Sequence, residues 1–470
     1  MESKLKLITA KARKDKKFKF TSLIHHVSKE NLIECYKELK RNRACGIDEV
    51  TVEEYGKNLE ENVENLVKRL KEKSYRANPV KTVYIPKANS KEKRGLGIPT
   101  VEDKLVQLVA KKLLEAIYEQ DFLKYSHGFR PDLSCHTAIK ALDEVVMKKP
   151  INYIVEVDIK KFFNSINHYW LQRCLEERIL DKNFMWLIRR FLKAGVVKDG
   201  AVSGSEQGTP QGGVISPILA NIYLHYILDI WFEKVVKPKA KGYVELVRYC
   251  DDFVICCESK KDADDFLNAL QDRLKGFGLS ISEEKTRVVK FGRSPWQLAN
   301  KRKEKLETFN FLGFTHYCGK SRRGYFVMVH KTMKSNFARK LKEIQEWLKK
   351  IRSQVPLKEW WSVLKSKLTG HYNYFGISGN FITISKFYHR VVRIVQKWIN
   401  RRGGKKANWE WLRNYLQLNP LPIPRIKFSL YAKSSALRQN SYIEEPYVGK
   451  PPVGFCEGCH GNETLLVKEV

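Results

Sequence analysis

The sequence predicts an α+β fold, and three observations carry that reading. Short β-prone runs recur at residues 83–86, 96–99, 151–159, 253–257 and 309–314. Apolar residues at helical spacing dominate residues 31–73 and the stretch beyond residue 329. Between Leu246-Val247 and Phe253-Val254-Ile255 stands Tyr249-Cys250-Asp251-Asp252, which reads as a tight hairpin with two adjacent carboxylates at its tip. At 470 residues the chain is too long for one core, so two or three domains are expected.

Taken in order, residues 31–39 and 59–73 carry helical patterns separated by a turn at Cys45-Gly46-Ile47-Asp48. Val83-Tyr84-Ile85-Pro86 and Leu96-Gly97-Ile98-Pro99 read as extended pieces around a polar loop at residues 88–93, and residues 103–118 as an amphipathic helix. The run 151–159 is a strand and places Asp158 at its carboxyl end, with a helix expected over 162–180. A glycine-rich loop, Gly208-Thr209-Pro210-Gln211-Gly212-Gly213-Val214-Ile215-Ser216-Pro217, precedes a helix expected over 219–232. A late hairpin is expected at 309–314 and 324–329, followed by helices over 329–352, 357–375 and 384–401. Arg402-Gly403-Gly404-Lys405 marks a break, and the tail after Ser434 is polar and rich in Pro and Gly.

The balance of 87 basic against 52 acidic side chains, a formal +35, asks for an anionic partner. A nucleic acid is the usual one and a membrane surface the competitor. No run of about 18 apolar residues appears and the basic N-terminus lacks an apolar signal core, so a soluble, cytoplasmic protein that does not enter the membrane is expected. Residues 320–438 hold 27 lysines and arginines against 4 acidic residues, with aromatics interleaved. Most of those aromatics belong on apolar helix faces, while the cations face outward. Lys397, Arg401, Arg402, Lys405 and Lys406 form the densest cluster and are the expected RNA-binding residues.

Paired carboxylates on a hairpin tip suit hard divalent cations such as Mg²⁺, although Asp is also a common turn residue. Asp158 supplies a third carboxylate from a strand end, where alone it would read as a strand-end or helix-cap residue. Three such groups converging in space suffice to hold two Mg²⁺ ions, with Mn²⁺ as a substitute, for in-line phosphoryl displacement. Cys456-Glu457-Gly458-Cys459-His460 has the look of a haem attachment sequence or half a zinc site, but no second ligand pair follows it.

In this order the motifs resemble those of bacterial group II intron-encoded reverse transcriptases. They are Gly46-Ile47-Asp48; Ile85-Pro86-Lys87 through Gly97-Ile98-Pro99-Thr100; His127-Gly128-Phe129-Arg130-Pro131; Val157-Asp158-Ile159 with Phe162-Phe163; the 208–217 loop; Tyr249 to Asp252; and Phe311-Leu312-Gly313-Phe314. Gly370-His371-Tyr372-Asn373-Tyr374-Phe375-Gly376 extends the resemblance into that family's thumb and maturase region. The resemblance implies a right-hand polymerase: a helical extension over residues 1–75, fingers and palm with antiparallel sheet over 76–318, a helical thumb and maturase domain over 319–434, and a loosely ordered tail over 435–470 with no endonuclease domain.

By the same resemblance, Asp158, Asp251 and Asp252 would be the catalytic, metal-binding carboxylates. Lys87 and Arg94 would hold the incoming triphosphate, Arg by bidentate contact and Lys as a point charge. Phe163 would exclude a 2′-hydroxyl, Gln211 would contact the nucleotide or template strand, and Lys285 would lie near the phosphates. Many members of the family carry Ala where this chain has Cys250. The implied partners are dNTP, an RNA template with a DNA primer, group II intron RNA and target DNA, with a homodimer among the assemblies left open. The implied activity is RNA-directed DNA synthesis with a maturase role. A host-adopted enzyme of repair or phage defence, and an RNA-binding splicing factor with an inactive polymerase, are the alternatives.

Overall fold

The computed structural model describes residues 1–86, 93–198, 201–203, 207–209, 212–402 and 407–431. No helix among them is long and apolar enough to cross a membrane. In chain order the strands are β1 (Val80–Pro86), β2 (Lys93–Ile98), β3 (Tyr153–Asp158), β4 (Val196–Lys198), β5 (Ala201–Ser203) and β6 (Val244–Tyr249). They continue with β7 (Asp252–Cys257), β8 (Arg287–Lys290), β9 (Phe309–Phe311), β10 (Phe314–Lys320) and β11 (Phe326–Thr332). Among the described residues they form three sheets, with orders β2-β1-β4-β5, β6-β7-β3-β8 and β11-β10-β9. The fold is a mixture of helices and mainly antiparallel sheets, as the alternation of the two hydrophobic periods foretold.

The chain divides into two compact units. The first comprises Met1–Pro131, Val157–Phe253 and Lys261–Arg287, and the second Asp132–Glu156, Val254–Lys260 and Val288–Val470. In the first, β1 and β2 form a hairpin with Ile85 opposite Arg94. Thr100 then caps the helix Val101–Tyr118, its hydroxyl accepting from the Asp103 amide at 3.2 Å. That helix buries Leu105, Val109, Leu113 and Ile117 and carries the helices Glu2–Lys14 and Lys29–Glu38 against it. Arg178, almost fully buried, donates to the carbonyls of Ala12 and Lys16 and to Asp121, tying down the end of the first helix.

Among the boundaries that differ from the sequence expectation, three have a clear local reason, while the strand expected over 309–314 is split into β9 and β10 by the turn at Leu312-Gly313. The helix expected over 162–180 is two, Phe162–Ser165 and His168–Glu176, because Asn167 accepts from the Trp170 amide and starts a new helix there. The helix expected over 219–232 begins earlier, as Ser216–Leu224, and passes into π-helical turns at His225–Asp229 and Phe232–Val236. Near the end, β11 runs to Thr332 and the helix starts only at Lys334. Phe326, Met328, His330 and Thr332 all point inward, so two polar residues hide the period of two.

In the second unit, the three-stranded sheet β11-β10-β9 is joined by the helices Lys334–Ile351, Leu357–Phe375 and Phe381–Ile399. The first and last of these pack together, with Phe337 edge-on to Phe387, and Ile344, Leu348, Val391 and Val395 are buried on them. Trp360, Trp361, Tyr372, Tyr374, Phe375 and Trp398 are buried as well, so the aromatics of the basic segment are mainly core. Trp409 and Trp411 remain exposed.

Candidate active site

The acidic tip is built where β6 meets β7. Every residue of β6 is buried, as are all of β7 after Asp252, and the loop between the strands is only Cys250-Asp251. Cys250 takes a positive φ of 54° without being glycine, and its side chain is fully buried. A supporting segment lies behind it: the Arg248 amide donates to the Tyr125 carbonyl and the His127 amide to the Arg248 carbonyl, both at 2.8 Å. Gly128 then comes so close that a Cβ there would stand 2.5 Å from the Cys250 nitrogen. Burial, and next the charge of Asp251, push the Cys250 thiol well above its usual range, which leaves it protonated. Burial, followed by Arg130 and Arg248, lowers His127 to about 4 and keeps it neutral.

Asp251 is buried and Asp252 half-buried at the start of β7. Asp158 ends β3, the strand beside β7. The Asn152 amide donates to the Cys257 carbonyl at 3.0 Å, so the start of β3 faces the end of β7; counting along antiparallel neighbours brings Asp158 toward the Cys250-Asp251 turn. The Asp158 carbonyl accepts from Ser282 at 2.7 Å, and Lys285 donates to the Asp158 carboxylate at 3.1 Å. The Lys285 side chain is mostly exposed, so this pair is worth about 0–1 kcal/mol and yields readily to a competing cation.

Phe163 lies five residues past Asp158 in the short helix Phe162–Ser165 and is buried. The glycine-rich loop is pressed onto it: the Thr209 amide donates to the Phe163 carbonyl at 2.8 Å, and a Cβ on Gly208 would stand 2.9 Å from that oxygen. Further on, a Cβ on Gly212 would stand 2.3 Å from the Gly97 carbonyl on β2, which brings the β1–β2 hairpin to the loop. Arg94 lies on β2, but its side chain, Lys87 and Gln211 fall outside the described residues.

Sequence reading missed the groups beneath the tip. Arg248 and Asp229, both fully buried, form a bidentate ion pair, and Arg248 also reaches Asn221, Ser126 and the Cys250 carbonyl. Each had a signal: Arg248 is the one charge in Leu246-Val247-Arg248-Tyr249, and Asp229 the one charge in Ile227-Leu228-Asp229-Ile230-Trp231.

Among the described residues no group of three or more His, Cys, Asp or Glu side chains forms a metal-holding cluster by itself. The donor set still suits Mg²⁺, which takes oxygen ligands and is usually held by one or two carboxylates together with waters and substrate phosphates. Asp251 in the β6–β7 loop, Asp252 at the start of β7 and Asp158 at the end of β3 offer such a partial set.

In the second unit, Lys397 and Arg401 stand 5.5 and 5.4 Å from the centre of the Trp398 ring. Arg352, which the sequence did not single out, joins them at 5.0 Å and donates to the Arg401 carbonyl. Arg402 follows at the helix end and is exposed, whereas Lys405 and Lys406 lie outside the described residues. Three cations gathered around one ring make a concentrated site for anions.

Residues 85–316 match the family described as reverse transcriptase (RNA-dependent DNA polymerase). Over 166 residues the chain is 45% identical to group II intron-encoded protein LtrA of Lactococcus lactis subsp. cremoris, covering 35% of this chain and 27% of that protein. Over 247 residues it is 31% identical to protein YkfC of Escherichia coli K12, covering 46% of this chain and 64% of that protein. It is also 39% identical over 189 residues to the putative COX1/OXI3 intron 2 protein of Saccharomyces cerevisiae, covering 40% of this chain and 21% of that protein. The chain thus spans between about a fifth and under two thirds of the length of these relatives. The matched segment holds the acidic hairpin, Asp158 and the glycine-rich loop together, so residues 85–316 are similar to the reverse transcriptase family, and the chain is similar to a group II intron-encoded protein.

Proposed function

We propose that the chain is an RNA-directed DNA polymerase that also binds group II intron RNA and assists its splicing and mobility. The observation that supports this most is the acidic turn at Asp251 and Asp252, on the strand beside that of Asp158, within a segment matching reverse transcriptases. In this reading residues 76–318 are fingers and palm, residues 319–434 the thumb and maturase domain, and the protein acts in the cytoplasm on dNTP, an RNA template with a DNA primer, and target DNA.

Asp158, Asp251 and Asp252 would hold two Mg²⁺ ions jointly with the substrate triphosphate. When bound, those ions supply the charge neutralisation and hydroxyl activation that in-line phosphoryl transfer requires. The remaining work belongs to this chain's own groups. Lys87 and Arg94 clamp the triphosphate, and Gln211 contacts the nucleotide or the template strand. Lys285 exchanges its contact with Asp158 for one with a phosphate. Phe163, held from behind by the Gly208-Thr209 backbone, limits the room for a 2′-hydroxyl. Lys397, Arg401, Arg402, Lys405 and Lys406 neutralise RNA phosphates.

Primer extension on an RNA template with dNTP and Mg²⁺ tests the reading. Wild-type protein should form DNA product, and Asp251→Ala should form none. Product undiminished by Asp251→Ala would defeat the site, and a silent wild type the activity.

A further inference from the structure

The guanidinium of Arg248 is completely enclosed, and each of its five N–H groups has an acceptor. Nε donates to Asp229 Oδ1 at 2.7 Å. One terminal nitrogen donates to Asn221 Oδ1 at 3.2 Å and to the Cys250 carbonyl at 3.1 Å. The other donates to Ser126 Oγ at 2.7 Å and to Asp229 Oδ2 at 2.5 Å. The acceptors come from three segments: the loop before Gly128, the helix that begins at Ser216 with its π-helical continuation, and the hairpin tip itself. Asn221 closes the circle by donating to the Gly128 carbonyl at 2.6 Å.

Two features set this cluster apart from an ordinary buried ion pair. A buried pair of charges is costly to desolvate, and apolar residues of equal volume often serve stability as well. Here one donor is spent on the carbonyl of Cys250, the strained residue between the two strands. Asp229 is also the last residue of a π-helical turn, where one extra residue rotates the side chains that follow by about a third of a turn relative to an α-helix. The helix departs from its regular form at the place that delivers Asp229 to Arg248.

We infer that Arg248 and Asp229 are positioning residues for the polymerase reaction: Arg248, oriented by its ion pair with Asp229, holds the Cys250 carbonyl and so sets where the Asp251 and Asp252 carboxylates stand. The inference rests on the polymerase reading proposed above. A rigid tip matters because Mg²⁺ demands near-ideal octahedral geometry, and a displacement of about 1 Å at reacting groups costs about a hundredfold in rate. Lysine in place of Arg248 keeps the charge opposite Asp229 but lacks the five-donor fork. Methionine at 248 with leucine at 229 removes both charges and leaves apolar filling.

The test compares wild type, Arg248→Lys and the double variant Arg248→Met/Asp229→Leu in full-length protein, alongside Ser362→Ala on the exposed face of the helix Leu357–Phe375 as a control. Folding is followed by circular dichroism and Tm, and synthesis by primer extension at varied dNTP and Mg²⁺. Mn²⁺ binding without substrate is followed by electron paramagnetic resonance. The expected result is a folded variant whose kcat falls about a hundredfold, whose KM for dNTP stays within about twofold, and whose half-saturating Mg²⁺ and Mn²⁺ concentrations rise several-fold. Folded variants with wild-type kcat and metal dependence would overturn the inference. Failure of both to fold would also overturn it, by making the pair a stability element. A wild type that binds Mn²⁺ yet synthesises nothing defeats the polymerase reading instead, and the metal-binding comparison then still decides the tie.

Discussion

The turn at Cys250-Asp251 and the turn at Leu312-Gly313 both join antiparallel strands with two residues, and both place a non-glycine residue at positive φ. At Leu312-Gly313 the angles are 48° and 77°, the pattern of a hairpin turn whose twist matches its strands, with glycine where it costs least. Its carbonyls are met by neutral donors: Tyr374 on Leu312 at 3.1 Å, and the Met333 amide and Asn336 on Gly313 at 3.0 and 3.3 Å. At Cys250-Asp251 only the first residue is left-handed, no glycine is present, and a buried charged pair supports the turn from beneath. The Leu312-Gly313 turn is shaped by its own residues, whereas the Cys250-Asp251 turn is shaped by its surroundings and is free to carry a carboxylate in place of glycine.

The comparison breaks most visibly at the carboxylates. Asp251→Ala and Asp158→Ala should each lower synthesis by at least about a thousandfold, since both would remove a metal-holding carboxylate; a primer-extension rate within tenfold of wild type would contradict that. Gly128→Ala should come next. Its Cβ would meet the Cys250 backbone nitrogen at 2.5 Å, so the tip must move, and we expect a loss of about 2–3 kcal/mol in denaturant unfolding together with a large loss of synthesis. Gly313→Val forces a β-branched residue to a φ of 77° and should cost a comparable amount of stability by steric strain alone.

Buried histidines sharpen the comparison further. Burial lowers His127 and His225 in the first unit to about 4 and His371 in the second to about 3, below the ordinary 6.5. The unfolded chain therefore binds more protons between those values, so stability is fully present above pH 6.5 and is lost as pH falls toward 4. Each group should remove about 1–2 kcal/mol between pH 7 and 5 in thermal or urea unfolding, and His371→Phe should flatten part of that slope. The smallest effect is expected at Cys250. Cys250→Ala keeps a small side chain and should leave kcat within about threefold, with Tm moved by the equivalent of about 1 kcal/mol; a tenfold change would give the thiol a role beyond filling space.

Much of the molecule is legible residue by residue. The helix Leu357–Phe375 falls where its apolar spacing puts it, and the hairpin tip was visible because two short β-prone apolar runs around an acidic turn are a local pattern. The strand end at Asp158 was visible for the same reason. What escaped depends on distant partners. The strand through His330 and Thr332 looked like the start of a helix, because His330 is inward only in company: it contacts His316 at 2.8 Å and Asp143 at 3.2 Å. The π-helical turns at 225–236 carry no glycine signal, and Pro238 comes only after them. Arg352 stands by Trp398 only once the helices Lys334–Ile351 and Phe381–Ile399 are packed together.

Short-range rules therefore determined, from the sequence alone, which chemistry is present: two carboxylates on a tip, a third on a strand end, a glycine-rich loop and a basic helical region. Propensity, period and turn chemistry act over a few residues, so they need no partner to be read. The tertiary structure alone decided which buried charge meets which, how the Cys250 turn is supported, and where a helix gives up its regular spacing to deliver Asp229. A buried charge is tolerable only beside its counter-charge, and that counter-charge lies 19 residues away along the chain.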